Sequence, residues 1–189
     1  MVVVVGIDEV GRGCWAGPVV AGAVILSGPM AGLKDSKVLS KRQREKLAGV
    51  IEAEALAIGL GWVEAALIDA VGLTAAVRLA MARALQQIKP DYDEIIIDGQ
   101  LNFLAANPKA RAVVRADASV PAVSAASIVA KVARDRYMAE VAADYPDYGF
   151  AQHVGYGTAL HLEKLKLHGV CELHRRSFKP VRALLQLPS

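Results

Sequence analysis

Four acidic side chains lie at or just beyond the ends of apolar segments, where a buried carboxylate needs a positive partner. Asp8 and Glu9 follow a run of valines, Asp98 ends a run of isoleucines, and Asp117 follows a short Ala- and Val-rich segment. Because binding clefts of α/β sheets lie at strand ends, we expect these carboxylates to meet at one edge of a sheet. Such an oxygen-rich site suits Mg²⁺ or Mn²⁺ rather than zinc. Two such ions can activate a water and stabilise the leaving oxygen of a phosphodiester.

An ordinary structural role is the alternative for each of these acids. A strand-end carboxylate commonly pairs with a nearby Lys or Arg. Asp117, which comes shortly after Arg115, could equally be a loop acid at a helix N-terminus. Both interpretations stay open on these residues alone.

Asp8 and Glu9 present a geometric difficulty for a shared metal site. Adjacent residues of a regular strand point to opposite faces of the sheet. Both side chains can therefore reach the ions only if the strand is distorted or if the ions straddle its edge. Gly6 and Gly11 flank the pair and favour the first of these explanations.

Five β-rich segments are available to position the acids. The first two are separated by a Gly- and Pro-rich break, which predicts that they are antiparallel neighbours. Their continuous apolar character indicates a sheet that is covered on both faces. The predicted strands are a segment from Val2 to the first two acids, then residues 19–26, 55–63, 94–98 and 112–116, the last of which delivers Asp117.

Helical patterns occupy the segments between and after these strands. Ser40 followed by Gln43 predicts a capping box at the start of a surface helix. An apolar stripe predicts a helix over residues 64–88, and a proline at position 121 fits the start of a long helix that runs to about residue 142. A further helix follows Thr158. This order of elements indicates an α/β protein with a mixed sheet and helices packed on it.

Composition narrows the functional classes. The chain has 189 residues, of which 54% are hydrophobic and 22% charged, which suits one substantial core and excludes a disordered chain. A net charge of +3 permits a nucleic-acid partner without requiring one. The apolar runs are far shorter than a spanning helix, and the acids at positions 8 and 9 interrupt the only signal-like start, so we expect no membrane segment. Cys14 and Cys171 form no disulfide framework, which favours a cytoplasmic protein.

Short motifs follow one another in a fixed order from residue 6 to residue 178, nearly the whole chain. They are GIDEVGRG (6–13) with AGPVV (16–20), DSK (35–37), IDG (97–99), AD (116–117), SAASIVAKV (124–132) with RD (134–135), GYGT (155–158) and HRRSF (174–178). This ordered set resembles the ribonuclease HII family, the type 2 ribonucleases H.

The resemblance implies an endonuclease of the ribonuclease H-like fold, with a mixed five-stranded sheet flanked by helices. Such an enzyme cuts the RNA strand of RNA–DNA hybrids and nicks duplex DNA on the 5′ side of an embedded ribonucleotide, leaving 3′-hydroxyl and 5′-phosphate ends. It requires divalent ions, Mg²⁺ or Mn²⁺, with two in the active complex, and it serves ribonucleotide removal in DNA repair and replication. The metal-coordinating acids of the family correspond to Asp8, Glu9, Asp98 and Asp117.

The resemblance also implies substrate contacts. The family's Gly-Arg-Gly motif, which contacts the 2′-hydroxyl and the neighbouring phosphate, corresponds to Gly11, Arg12 and Gly13, and its sugar-stacking tyrosine corresponds to Tyr156. These roles make physical sense because the 2′-hydroxyl is the group that separates RNA from DNA. A glycine turn lets backbone groups approach that hydroxyl closely.

Three further residues are candidate phosphate contacts: Ser36, Lys37 and Lys131. A solvated loop lysine is an equal alternative for Lys37, whereas Lys131 lies on a polar helix face that favours a functional role. We interpret His161 and His174 as structural or surface residues rather than as bases.

Two arginines and several departures from the family pattern bear on substrate binding. Arg175 and Arg176 could grip a DNA backbone or pair with acids of the fold. The departures are Cys14-Trp15 in place of Pro-Leu, Val154 in place of a lysine, and Gly72 and Gln100 in place of asparagines. They put substrate affinity in question and leave the four acids intact.

The whole chain, residues 1–189, is expected to be one catalytic domain with a C-terminal helical segment from about residue 158, and to act as a monomer. Two alternatives remain. The first is a ribonuclease HIII-like enzyme that needs long hybrids, against which stand the arginine at position 12, where that relative tends to have lysine, and a chain that begins directly on its first strand. The second is a non-catalytic RNA–DNA binding module, against which the retention of all four acids argues.

Overall fold

A mixed sheet of five strands organises the computed structural model, which describes residues 2–33 and 39–185. The strands are β1 (Val4–Val10), β2 (Val19–Leu26), β3 (Ala55–Val63), β4 (Glu94–Asp98) and β5 (Ala110–Val113). Their order in the sheet is β3-β2-β1-β4-β5, with β1 at the centre. The β1 strand pairs antiparallel with β2 and parallel with β4. The predicted mixed five-stranded sheet and its antiparallel first pair are therefore confirmed.

Helices cover both faces of this sheet, as the continuous apolar strands predict. They are α1 (Lys41–Glu54), α2 (Ala65–Val71), α3 (Leu73–Leu85), α4 (Ala116–Ser119), α5 (Pro121–Val141), α6 (Phe150–His153), α7 (Ala159–His168) and α8 (Lys179–Leu185), with a single 3₁₀ turn at Pro146–Tyr148. The α5 helix packs against β1 and β2, and α3 packs against β3 and β2. The predicted capping box is present, with the Ser40 side chain and the Gln43 side chain bonded reciprocally at the start of α1.

Alternate residues of β1 serve the two helical layers. Val5 and Ile7 are fully buried in the cluster that includes α3. Gly6 faces α5, and a Cβ at that position would lie 2.1 Å from the backbone carbon of Ala122. Gly6 therefore permits close helix–strand contact rather than a distortion of the strand, which pairs in unbroken register from Gly6 to Val10 with β2. Distortion is thus the wrong explanation for how Asp8 and Glu9 could share a site.

Two predicted elements differ in the structure. The helix predicted over residues 64–88 is interrupted at Gly72, which takes φ 80° and ψ 156°, and its second part ends at Leu85. The strand predicted over residues 112–116 comprises Ala110–Val113 instead. Beyond Val113 the chain turns at Arg115, whose φ of 57° is left-handed, and Asp117 lies in the first turn of α4. Asp117 is therefore an acid at a helix N-terminus and not a strand-end acid.

No helix in residues 2–33 and 39–185 combines the length and the apolar character that crossing a membrane requires.

Candidate active site

Three carboxylates come together near the C-terminal ends of the parallel strands β1 and β4. Each of Asp8, Asp98 and Asp117 offers a carboxylate oxygen, and these oxygens all lie within 4.8 Å of one another. The β1 and β4 strands are parallel with Ile7 opposite Ile97, so the next residues along, Asp8 and Asp98, emerge side by side. The short α4 helix adds Asp117, whose backbone N–H lies 3.4 Å from Oδ1 of Asp98. The structure thus assembles three of the four predicted acids from three separate elements.

Glu9 approaches the same cleft separately from this trio. Its Oε1 accepts a hydrogen bond from Nη1 of Arg12 at 2.9 Å. Its Oε2 is buried and has no hydrogen-bond partner among the residues that the structure describes. Because β1 is regular here, Asp8 and Glu9 leave the strand in opposite directions. Both nevertheless line the cleft, as expected if ligands straddle the strand.

Mutual repulsion and burial make the acids unfavourable as a set of free carboxylates. Burial raises the pKa of Asp8 to about 8, and the charges of Glu9 and Asp98 act in the same direction. Burial also raises the pKa of Glu9, although Arg12 opposes the shift. An all-oxygen donor set with one orphaned buried oxygen is the chemistry that hard divalent cations prefer. The side chains present are therefore suited to coordinating Mg²⁺ or Mn²⁺.

We expect Asp8→Asn to stabilise the metal-free chain at pH 8 by about 1–3 kcal/mol, the usual penalty of a poorly compensated buried polar group. The folded-state pKa of about 8 lies above the ordinary value of 3.8. Ionisation of Asp8 therefore removes stability as pH rises from near 4 towards 8. Guanidinium unfolding at pH 5 and pH 8 in the presence of chelator measures this. Asp91→Asn, which changes an exposed acid before β4, is the control. Equal pH dependence in Asp8→Asn and the unsubstituted chain would contradict the expectation.

The Gly-Arg-Gly turn lies beside the acids, and the buried side chains of Arg134 and Arg175 pack against it. Gly11 has a φ of +88°, and a Cβ there would lie 2.4 Å from Nε of Arg134. The guanidinium of Arg175 donates to the carbonyls of Arg12 and Gly17 at 2.8–3.1 Å. Arg175 is fully buried and donates three hydrogen bonds to these carbonyls, so it neither grips solvent-accessible DNA nor forms an ion pair with an acid in the described chain, which corrects both alternatives for this residue. Arg176 is exposed, and both alternatives for it stay predictions. Gly13 is open, because a Cβ added there would meet no described atom within 4 Å.

Tyr156 and Lys131 also line the cleft and lie next to each other. Tyr156 is about one-third exposed at 36%, and Nζ of Lys131 lies 5.1 Å from its ring centroid. Lys131 also pairs with Asp135 at 2.9 Å. Cys14 forms a side-chain hydrogen bond with Tyr156 and an isolated β-bridge to it. The residue that departs from the family pattern at position 14 therefore contacts the tyrosine that the resemblance assigns to the sugar.

The cleft has a volume of about 340 Å³ and gathers most of the predicted site residues. Arg44 and Ser127 also line it, although sequence reasoning assigned neither to the site. Ser127 had a usable signal, since it shares the polar face of α5 with Lys131, whereas Arg44 had none. Ser36 and Lys37 lie outside the described residues. The lining residues are Asp8, Glu9, Val10, Gly11, Arg12, Gly13, Arg44, Asp98, Ser127, Lys131 and Tyr156.

A larger groove of about 1290 Å³ lies between α3 and residues 101–107. Its lining is mainly apolar and includes none of the four acids. The chemistry is therefore concentrated in the smaller cleft.

Comparisons with known proteins agree with this arrangement. The family model described as Ribonuclease HII matches residues 5–181. Ribonuclease HII of Halorhodospira halophila is 50% identical over 184 residues, which cover 96% of this chain and 94% of that protein. The crystal structure of ribonuclease H2 from Pyrococcus horikoshii OT3 superposes with a TM-score of 0.82 at 27% identity, covering 96% of each chain. The Bst RNase HIII structure in complex with Mn²⁺ has a TM-score of 0.76 at 19% identity over 97% of this chain and 69% of that one, and shows a shared fold. The ribonuclease H-like fold is thus confirmed, and the chain belongs to the ribonuclease HII family.

Proposed function

We propose that this ribonuclease H nicks duplex DNA on the 5′ side of an embedded ribonucleotide and cuts the RNA strand of RNA–DNA hybrids, leaving 3′-hydroxyl and 5′-phosphate ends. One observation carries the proposal: two members of a three-carboxylate cluster, Asp8 and Asp98, line the same cleft as a glycine turn that can approach a sugar closely. Membership of the family makes the chain a hydrolase and a metal-dependent endonuclease. The finer choice of substrate rests on the cleft.

The acids are proposed to hold divalent ions. Asp8, Asp98 and Asp117 would supply one group of oxygen ligands, and Glu9 would supply an oxygen from the other side of β1. When bound, two ions would activate the attacking water and stabilise the departing 3′ oxygen of the scissile phosphate. The chain itself orients these carboxylates through the parallel pairing of β1 and β4. Arg12 keeps Glu9 in place through their hydrogen bond and partly offsets its charge.

Recognition of the ribose is proposed to fall to Gly11, Arg12 and Gly13. The left-handed backbone at Gly11 turns the chain, and the next two residues line the cleft with it. A 2′-hydroxyl both donates and accepts a hydrogen bond, so backbone N–H and C=O groups can recognise it directly. Lys131 and the exposed guanidinium of Arg12 are suited to the adjacent phosphates, and Ser36 and Lys37 are proposed to add further phosphate contacts. Phosphate contacts of this kind position a nucleic acid without reading its sequence.

Tyr156 is proposed to stack on the sugar that follows the ribonucleotide. We expect Tyr156→Ala to lower kcat/KM for a duplex with one embedded ribonucleotide by roughly tenfold to a hundredfold, as a stacking contact of about 1–3 kcal/mol would. The Kd for the same uncut duplex should rise by a smaller factor, because phosphate contacts dominate binding affinity. Cleavage assays together with chelator-treated binding titrations measure the two effects. An equal loss in kcat/KM and in binding affinity would contradict a role for Tyr156 at the step from the ribonucleotide to the following sugar.

The decisive test is a nicking assay. A duplex DNA oligonucleotide with one embedded ribonucleotide is incubated with Mg²⁺ or Mn²⁺, with and without chelator, beside an all-DNA duplex of the same sequence. We expect one nick, 5′ of the ribonucleotide, that requires the ion and yields a 3′-hydroxyl end. Absence of nicking at every ion concentration would overturn the proposal. Cleavage of a long hybrid alone would favour a ribonuclease HIII-like activity, and binding without turnover would favour a non-catalytic module.

The biological setting follows from this activity. We propose that the enzyme acts as a monomer in the cytoplasm on ribonucleotides left in DNA, and that residues 1–189 form one catalytic domain with a C-terminal helical segment from about residue 158. Cys14 and Cys171 are both free thiols, which suits a reducing compartment. Gel filtration in the presence and absence of substrate duplex would test the monomer.

A further inference from the structure

Three histidine side chains lie together behind the loop that carries Tyr156. His153 ends α6, His161 lies on α7, and His174 lies in the segment before α8. They are 6%, 0% and 2% exposed, respectively. The rings of His153 and His161 stack with centroids 4.2 Å apart, and those of His161 and His174 are 5.2 Å apart. None of the three lines the cleft, and the proposed chemistry does not use them.

Backbone partners fix the protonated nitrogen of each ring in the pair His161–His174. Nδ1 of His161 lies 2.9 Å from the carbonyl oxygen of Tyr156, and a carbonyl only accepts, so Nδ1 carries the proton. Nε2 of His161 is then an acceptor, and Nε2 of His174, 3.0 Å away, must donate to it. Nδ1 of His174 in turn accepts from the backbone N–H of Cys171 at 3.0 Å. One continuous chain of hydrogen bonds therefore runs from Cys171 to the Tyr156 carbonyl.

His153 holds the preceding residue of the same loop. Its Nε2 lies 2.7 Å from the carbonyl oxygen of Tyr148 and therefore donates. Its Nδ1 accepts from the backbone N–H of Gly155 at 3.2 Å. On the other edge of the loop, the Gly155 carbonyl accepts from the backbone N–H groups of Trp15 and Ala16. The backbone N–H of Gly155 and the carbonyl of Tyr156 are thus both hydrogen-bonded to histidine rings, those of His153 and His161 respectively.

We propose that His161, oriented by His174 and stacked on His153, is a positioning residue that sets where the Tyr156 ring meets the substrate sugar. The inference rests on the proposed role of Tyr156 and deepens it. The carbonyl of Tyr156 accepts from two donors, the backbone N–H of Thr158 at 2.9 Å and the side chain of His161, and the His161 bond is the one that ties this loop to the buried face of α7. A displacement of this carbonyl moves the ring that lines the cleft.

The network works only with neutral rings, and the surroundings keep them neutral. Burial lowers the pKa of His161 and of His174 to about 4; repulsion from His153 lowers the pKa of His161 further, and repulsion from His161 and His153 lowers that of His174. The titratable groups that face the cluster are the Cys171 thiol, 3.1 Å from His174, and the Tyr148 ring. Neither supplies a negative charge at neutral pH, since the pKa of each is raised above its ordinary value. A protonated His161 would lose its acceptor for His174.

The main experiment measures kcat/KM on two substrates for single variants and for a double-mutant cycle of His161 and Tyr156. His161→Phe keeps a ring but removes both hydrogen bonds, His161→Asn retains a donor near the Nδ1 position, and His168→Asn changes an exposed histidine of the same helix. We expect His161→Phe to lower the ratio of kcat/KM for the single-ribonucleotide duplex to that for a long hybrid by about fivefold, because, of its two lost hydrogen bonds, only the one to the Tyr156 carbonyl acts directly on Tyr156. His161→Asn should recover much of this ratio, and His168→Asn should leave it unchanged. In a Tyr156→Ala background, His161→Phe should have little further effect on the ratio.

Two outcomes would overturn the inference: equal loss on both substrates, or a His161→Phe effect that is undiminished when Tyr156 is alanine. Should His161→Phe fail to fold, long-range ¹H–¹⁵N spectra of the unsubstituted chain still decide, because they must show the Nδ1–H tautomer for His161 and the Nε2–H tautomer for His174 and His153. The opposite tautomer at His161 would refute the network. If the unsubstituted chain cuts neither substrate, the proposed function fails first, whereas normal cutting with an unchanged ratio refutes only the positioning role.

Discussion

Asp98→Asn should reduce cleavage of a ribonucleotide-containing duplex by roughly a thousandfold or more, since metal ligands contribute several kcal/mol of transition-state stabilisation. Asp98 interacts with each of the other three acids. Its carboxylate lies within 4.8 Å of carboxylate oxygens of Asp8 and Asp117, and its charge also raises the pKa of Glu9. An amide oxygen is a weaker, uncharged ligand, so the substitution removes one negative charge from the centre of the set. We expect the fold to persist because the side chains have similar shapes.

The readouts for Asp98→Asn separate metal binding from folding. Single-turnover cleavage at saturating enzyme gives the loss of rate, and circular dichroism checks the fold. In thermal unfolding, increasing Mn²⁺ concentration should raise the Tm of the unsubstituted chain and should raise that of the variant much less. Asp91→Asn alters an exposed acid that precedes β4 and should behave like the unsubstituted chain in each assay. Retained cleavage in Asp98→Asn would remove this residue from the metal site.

The sequence predicted the acids well because hydrophobic runs identify strand ends. Asp8 and Asp98 follow Val- and Ile-rich runs, and parallel pairing of those runs puts the acids side by side. Asp117 was predicted from a strand and is found on a helix. The left-handed turn at Arg115 depends on tertiary packing, and a non-glycine residue carries no local signal for it. Asp117 does lie with Asp8 and Asp98, although the element that delivers it is not the predicted strand, and its role as a metal ligand stays a prediction.

Side chains whose hydrogen-bond partners are backbone carbonyls were hard to predict from the sequence. The spacing of Ser124, Ser127, Lys131 and Arg134 on α5 indicates a polar face, but Ser124 is 3% and Arg134 0% exposed. Periodicity cannot distinguish a solvated polar face from one that is buried against loops. The partners of Arg134 lie 20 to 118 residues away in sequence, and main-chain acceptors leave no trace in residue type. The same reason hid the histidine network behind Tyr156.

Arg134→Met should lower the free energy of unfolding by about 3–5 kcal/mol, because it leaves three carbonyl acceptors without this donor at about 1–3 kcal/mol each, partly offset by removal of a buried charge. The guanidinium donates to three carbonyls, those of Pro18, Val154 and Ala16, at 2.9–3.1 Å. These carbonyls belong to the segments that flank the Gly-Arg-Gly turn and the Tyr156 loop. Methionine fills similar volume but leaves the acceptors without this donor. Lysine has a single nitrogen and cannot reach three carbonyls at once, so Arg134→Lys should also destabilise the chain.

Arg136→Met is the matched control for this prediction. Arg136 lies two residues further along α5, its side chain is 51% exposed, and its ion-pair partner, Glu52, is 3.9 Å away. A pair of this kind contributes little, so the control should change the free energy of unfolding by about 0.5 kcal/mol or less. Urea unfolding of both variants with chelator present measures the difference without interference from metal binding. Similar stabilities for Arg134→Met and Arg136→Met would show that the three carbonyls are satisfied in another way, and that Arg134 does not tie the Gly-Arg-Gly turn and the Tyr156 loop to α5.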